Sequence, residues 1–205
     1  MLKLRVNKLS KHFGTRKVFS NIEFELKSGE SIAVTGPNGS GKTTLLKTIL
    51  GILPASKGKA EYFEDVRQLE FDRYRKKIAL VAPYLNLYDN LTARENLHFL
   101  SAVNGSRITD SDIDMALHAV GLEGRGEDFA GAYSSGMKQR LKYALAMVRD
   151  PEILFVDEPT SNLDDAGKKI VFDLIKNYRT DAIVLIATNE IEEYALAQGR
   201  CQLGG

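Results

Sequence analysis

Gly36-Pro37-Asn38-Gly39-Ser40-Gly41-Lys42-Thr43-Thr44 stands between a short apolar run, Ser31–Thr35, and a segment whose apolar residues Leu45, Leu46 and Ile49 recur at helical spacing. The spacing Gly36-x-x-x-x-Gly41-Lys42-Thr43 is that of a phosphate-binding loop between a strand and a helix. Its glycines let the backbone wrap phosphate oxygens, so that amides point inward at a helix N-terminus. Lys42 adds a point charge for the β- and γ-phosphates, and the Thr43 hydroxyl is a natural magnesium ligand. The stretch therefore predicts a nucleoside-triphosphate site on an α/β scaffold.

Working outward, Leu2, Leu4 and Val6 alternate with polar residues, as do Ile22, Phe24 and Leu26. Period two with one polar face predicts antiparallel strands before a turn at Lys27-Ser28-Gly29-Glu30. Gly51 is placed to end the helix after the loop. From about Leu87 to Arg149 the pattern is mostly helical: Ile113, Ala116, Leu117 and Val120 share a face stopped by Gly121. Met137, Leu141, Ala144, Leu145 and Val148 make a second stripe, ended by Asp150-Pro151. Ile78–Val81, Ile153–Val156 and Ala182–Ala187 are short apolar strands, and Val171, Leu174, Ile175 and Tyr178 mark a helix between the last two. The expected architecture is one domain over residues 1–205: a parallel-sheet core, an N-terminal antiparallel β-subdomain and an inserted helical subdomain over about 87–149.

Composition narrows the function. Among 205 residues, 28 Lys and Arg balance 27 Asp and Glu, a net charge of +1 that argues against nucleic acid as a partner. The single Cys201 excludes an intrachain disulfide, and His12, His98 and His118 are too dispersed for a local metal motif. His98 and His118 fall in helical patterns and read as structural or surface residues. No run approaches the roughly 18 apolar residues of a membrane span, and Met1–Val6 lacks the apolar block of a signal peptide. A cytoplasmic protein that does not itself insert into a membrane is expected.

Ile153-Leu154-Phe155-Val156-Asp157-Glu158 then separates the triphosphate enzymes. A buried strand ending in two carboxylates delivers Asp157 to magnesium and Glu158 to a water beside the γ-phosphate. A GTPase would carry Asn-Lys-x-Asp to read guanine, and the chain has none.

With these motifs placed, the chain from about Leu2 to Ala197 resembles the ATP-binding subunit of ABC transporters. Tyr133-Ser134-Ser135-Gly136-Met137-Lys138-Gln139-Arg140 is similar to that family's signature, and Ser161-Asn162-Leu163-Asp164 to its D-loop. The resemblance implies the ABC-type P-loop NTPase fold, with a RecA-type parallel sheet, and hydrolysis of MgATP to ADP and phosphate. It implies ATP held by Gly36 through Thr44, Phe13 stacked on adenine, Thr43 and Asp157 at the metal, and Lys42, Glu158 and Asn189 in catalysis. Phe13 has a second reading as core between the first strands, and Tyr133 and Met137 read as packing residues. The resemblance further implies head-to-tail pairing, with a second copy or a related ATP-binding subunit. Ser134 and the Gly136 amide would then meet the γ-phosphate of ATP bound across the interface. A transmembrane permease is the implied partner and places the chain at the inner face of the cell membrane. A soluble ABC-type ATPase unlinked to transport is the alternative.

Three positions depart from the family pattern. Its usual glutamine after the strand Ile78–Val81 falls on Pro83, or on Tyr84 if the register slips by one, with Asn86 close by. Its switch histidine is Asn189 here, and Ser135 replaces the first glycine of the signature pair. Asn189 can donate only a neutral hydrogen bond, so a modest ATPase or a slow-turnover clamp is expected.

Overall fold

The computed structural model describes every residue except Ser106, Arg179 and Gly205. Strands β1 (Leu2–Phe13) and β2 (Arg16–Lys27) form an antiparallel hairpin, followed by β3 (Ser31–Thr35) and helix α1 (Lys42–Ile49). Leu2, Leu4 and Val6 are almost fully buried while Lys3 and Arg5 face Glu25 on the open side, as the alternation requires. Strands β4 (Lys57–Glu64) and β5 (Arg67–Gln68) complete a four-stranded sheet in the order β2-β1-β4-β5.

After a one-turn helix α2 (Phe71–Tyr74) come β6 (Ile78–Val81) and three helices, α3 (Ala93–Val103), α4 (Asp110–Ala119) and α5 (Ser135–Met147). Then follow β7 (Ile153–Asp157), α6 (Asp165–Tyr178), β8 (Ile183–Thr188), the one-turn α7 (Ile191–Tyr194) and β9 (Gly199–Gln202). The second sheet runs β6-β7-β8-β3-β9, and every pairing in it is parallel. The expected P-loop architecture is thus present: a parallel core, helices between β6 and β7, and an antiparallel sheet that is not wholly N-terminal, since β1 and β2 precede β3 but β4 and β5 follow α1.

The parallel strands are apolar on both faces because each face meets a different core. Ile153, Phe155, Ile183, Leu185, Ile32 and Val34 turn toward α1 and the antiparallel sheet. Leu154, Val156, Val184, Ile186 and Val81 turn toward α3 through α6. The helix faces read from sequence are the buried ones: Ile113, Leu117 and Val120 are at most 1% exposed, and Leu141, Val171 and Ile175 are fully buried.

Between Leu87 and Arg149 the chain is less helical than its pattern suggests. Residues 87–92 form no helix: the Leu91 amide closes a turn on the Tyr88 carbonyl, and the buried Asn96 side chain fastens it, its Nδ2 donating to the Tyr88, Leu91 and Thr92 carbonyls and its Oδ1 accepting from the Tyr88 amide. Thr92 then starts α3 with a capping box to Glu95. Glycines 121, 124, 126 and 131 interrupt the run between α4 and α5. No described helix is long and apolar enough to cross a membrane.

One buried bond ties the antiparallel sheet to the helix that follows the phosphate loop. Tyr62, on β4 and 1% exposed, stacks on Tyr74 at 4.1 Å and donates its hydroxyl to the Ile49 carbonyl at 2.9 Å, at the end of α1. Tyr62→Phe leaves that carbonyl unpaired in the core and should cost about 1–2 kcal/mol in urea unfolding. A variant of wild-type stability would show that the bond contributes nothing.

Candidate functional site

Because the sheet is parallel, β6, β7, β8 and β3 all release their chains at one edge, where such folds hold ligands. The register sets the spacing there: Val81 lies beside Val156, Asp157 beside Ala187, and Thr35 beside Thr188. The phosphate loop thus leaves β3 next to the strand that carries Asn189. The carboxylate pair leaves β7 one strand further on.

Gly36 has a φ of 150°, and a Cβ there would sit 2.5 Å from the Leu203 carbonyl oxygen. Leu203 is held close by its amide bond to the Thr35 carbonyl, so only glycine fits. Gly41 caps α1 and accepts the first helical bond from the Leu45 amide, which leaves the Lys42, Thr43 and Thr44 amides opening toward the loop. The Lys42 ammonium curls back to the Gly36 and Pro37 carbonyls at 2.8 and 3.1 Å, and the side chain is 6% exposed. The Ser40 hydroxyl is buried and has no hydrogen-bond partner among the described residues.

The phosphate loop and the carboxylates meet through one contact: Thr43 Oγ1 donates to Asp157 Oδ2 at 2.6 Å, across 114 residues of sequence. Asp157 is 2% exposed. Burial pushes its carboxyl above the ordinary range, with the Thr43 bond pulling the other way and the neighbouring Glu158 charge adding to the rise. Its other oxygen, Oδ1, is buried with no hydrogen-bond partner among the described residues. Two hard oxygen donors with one carboxylate oxygen left over fit a magnesium ion, so the residues present suit the metal that the sequence implied.

Glu158 is exposed and sits in the left-handed region at φ 49°, while its amide donates to the Ala187 carbonyl at 2.8 Å. A non-glycine residue there is strained and must be held by its surroundings. It lines a cavity of about 550 Å³ together with Phe13, Arg16, Val18, Asn38, Gly39, Gly41, Lys42, Thr43 and Thr44. A second cavity, about 460 Å³, shares Asn38 and Glu158 and adds Thr160, Lys168, Thr188, Asn189 and Glu193. The two cavities therefore bring together Asn38, Gly39, Gly41–Thr44, Glu158 and Asn189, while Gly36, Pro37, Ser40 and Asp157 line neither and Asp157 joins them through Thr43.

Phe13 is 51% exposed on the wall of the first cavity, with the Lys11 ammonium 4.7 Å from its ring. Its reading as core is overturned: it closes β1 as an exposed residue paired with Arg16 at the hairpin end. Ser134 and Gly136 line neither cavity. Ser134 is exposed and caps α5 by accepting the Met137 amide at 3.2 Å. Tyr133, 5% exposed, donates to the Arg125 carbonyl and is a packing residue.

A turn follows β6. The Leu85 amide donates to the Ala82 carbonyl at 3.2 Å, which places Pro83 and Tyr84 at the two corners, a favoured position for proline. Lys142 donates to the Pro83 carbonyl at 2.7 Å and fixes the turn from α5. Tyr84 is the corner that faces the carboxylates: its ring lies 4.0 Å from the Lys47 ammonium, on the same face of α1 as Thr43. Burial, reinforced by the Asp157 charge, pushes its phenol up to about 12. Asn86 instead lines a groove with Lys138, Gln139 and Lys142. Sequence reasoning named Tyr84 only as the second register and missed Thr160, Lys168 and Glu193, which line the second cavity at this edge.

The family described as ABC transporter matches residues 19–161 of the chain. An uncharacterized ABC transporter ATP-binding protein, YdbJ of Bacillus subtilis, is 34% identical over 93% of this chain and 62% of its own length. The lantibiotic transport ATP-binding protein SrtF of Streptococcus pyogenes is 29% identical over 92% of this chain and 80% of its own. Among solved structures, cbiO1 of Clostridium perfringens, part of the ABC transporter complex cbiONQ, superposes with a TM-score of 0.79 at 26% identity. The match covers 98% of this chain and 84% of that one. The chain spans less than two thirds of the length of its Bacillus subtilis relatives YdbJ and LnrL. The chain belongs to the ABC transporter family.

If Asp157 serves the metal, Asp157→Asn should erase the tightening of ATP binding by magnesium, in calorimetric titrations run with Mg²⁺ and with EDTA. Affinity in EDTA should be unchanged. A variant with the wild-type magnesium dependence would remove Asp157 from the metal site.

Proposed function

We propose that this member of the ABC transporter family is an ATP-binding and ATP-hydrolysing subunit that powers a separate transmembrane permease. We take residues 1–205 as one such domain, with a helical subdomain over about 87–149. The observation that carries this reading is the meeting of the phosphate loop, the Thr43–Asp157 contact, Glu158 and Asn189 at one edge of the parallel sheet. Transport is supported by the relatives, among them SrtF and the bacitracin transport ATP-binding protein BcrA of Bacillus licheniformis.

In this reading Lys42 leaves its loop carbonyls for the β- and γ-phosphates, and the amides from Gly39 to Thr44 surround the remaining oxygens. Thr43 and Asp157 hold the magnesium, whose chemistry is to neutralise charge on the phosphate oxygens. Glu158 orients the attacking water and takes its proton as the new P–O bond forms, while the electron pair of the broken bond leaves on ADP. Asn189 donates a neutral hydrogen bond to the γ-phosphate. Relative to a charged donor the deficit is about 1–3 kcal/mol, roughly a 5- to 150-fold slower chemical step. The ATPase is therefore modest.

Ser134 and the amides opening α5 serve the γ-phosphate of a second subunit, identical or related, so ATP joins the pair and hydrolysis releases it. The permease meets the groove formed by Pro83, Leu85, Asn86, Leu87 and Tyr88 beside Gln139. Tyr88 and Phe99 pack edge to face there and remain about half exposed, which suits an apolar partner. This places the subunit at the inner face of the cell membrane.

Glu158→Gln keeps the shape of the base and removes its charge, so with ATP it should accumulate as a dimer. Light scattering after size exclusion should then give twice the 22.8 kDa of one chain. A strictly monomeric Glu158→Gln at millimolar ATP would overturn the composite site. Asn189→Ala should lower turnover further and Asn189→His should raise it. Equal rates in all three proteins would show that the chemistry bypasses this position.

A further inference from the structure

Two segments leave the sheet side by side: Glu158-Pro159-Thr160 after β7 and Thr188-Asn189-Glu190 after β8. The side chain that spans them is Glu193, from the one-turn helix α7. It is 2% exposed, and its Oε1 accepts the Thr160 amide at 3.1 Å and the Thr160 hydroxyl at 2.5 Å. On its other flank stands Thr188, whose hydroxyl also accepts the Glu190 amide at 2.9 Å. The second oxygen, Oε2, is buried with no hydrogen-bond partner among the described residues, on the wall of the cavity that holds Glu158 and Asn189.

A carboxylate buried with an idle oxygen costs stability, which its two bonds from Thr160 offset only in part. What it does secure is the turn after β7. That turn is also gripped by Tyr143, whose buried hydroxyl donates to the Pro159 carbonyl at 3.0 Å. Glu158 needs such a grip, because its φ of 49° is not one its backbone would keep unaided. Asn189 sits just before the helix that carries Glu193. Lacking a charge, it offers only a neutral hydrogen bond, whose strength depends on its placement.

We propose that Glu193 is a positioning residue that holds Glu158 and Asn189 as one unit, by fastening Thr160 to the helix that follows Asn189. The proposal rests on the reading of Glu158 and Asn189 as the groups that act on the γ-phosphate. Loss of Glu193 then misplaces both groups together and leaves the phosphate loop, with its nucleotide affinity, untouched.

Steady-state ATPase kinetics and calorimetric ATP titrations of wild type, Glu193→Ala, Glu193→Gln, Asn189→Ala and the Glu193→Ala/Asn189→Ala double variant test this. Glu193→Ala should lower kcat about 10- to 100-fold, the scale of a misplaced catalytic group, with an unchanged ATP Kd. Glu193→Gln keeps an oxygen for both Thr160 donors and should return kcat to within about threefold of wild type. The double variant should be no slower than Glu193→Ala alone, since the second loss is already contained in the first. Should Glu193→Ala not fold, Thr160→Val removes one donor of the joint and should lower kcat at constant Kd. Wild-type kcat in soluble Thr160→Val and Glu193→Ala overturns the proposal, as do losses that simply multiply in the double variant. Absence of turnover in the wild type overturns the ATPase reading as well, so the two failures are distinct.

Discussion

The hydrogen bond from Thr43 to Asp157 is the contact on which the rest of the site depends. It joins the first turn of α1 to the end of β7, and it exists because β7 is buried on both faces and can go no further without meeting the loop. Two cores enforce that position. Ile153 and Phe155 anchor the strand to the α1 side, and Leu154 and Val156 anchor it to the helical side. Asp157 is thereby carried into a place no solvated carboxylate would choose, where burial raises its pKa and one oxygen is left over. A cation bound beside it would offset that cost.

What could be read from the sequence follows from which strands have a single unambiguous environment. Ile153–Asp157 and Ile183–Thr188 are continuously apolar because they lie inside the parallel sheet, and the loop after β3 carries its own pattern. Strand β4 was hidden by Lys57, Gly58 and Lys59, which are exposed and disguise a run whose buried member is Tyr62. Strand β9, Gly199–Gln202, is a polar edge that pairs on one side only, so no apolar period announces it. Phe13 had two environments open to it, and its place at the exposed hairpin end, opposite Arg16, decided between them.

Charged residues are the hardest to place by pattern. Glu190, Glu192 and Glu193 form one acidic run, yet the first two are exposed and the third is 2% exposed. The difference is tertiary: Thr160 arrives from the neighbouring strand end, 33 residues away, to supply two donors. Arg94 shows the opposite case. It bonds Asp114 and Glu127 and approaches Asp110, but those carboxylates are 63–78% exposed, so the cluster orients α3 against α4 and adds little stability. Burial, not charge count, separates the two.

Helix α5 joins these observations. Along one helix, Gly136 allows the Asn162 carbonyl to approach, Lys142 donates to the Pro83 carbonyl and Tyr143 to the Pro159 carbonyl. An added Cβ at Gly136 would lie 3.0 Å from the Asn162 oxygen, so only glycine lets the two segments touch without adjustment. The helix that opens with Ser134 is thus bonded to the turn bearing Tyr84 and to the turn bearing Glu158. All three partners are backbone carbonyls, which no change of their own side chains can release. Any displacement of α5 relative to the sheet must either break these bonds or carry both turns with it. The helix is thereby tied, through backbone carbonyls, to the end of β6 and to the end of β7, the strand that carries Asp157.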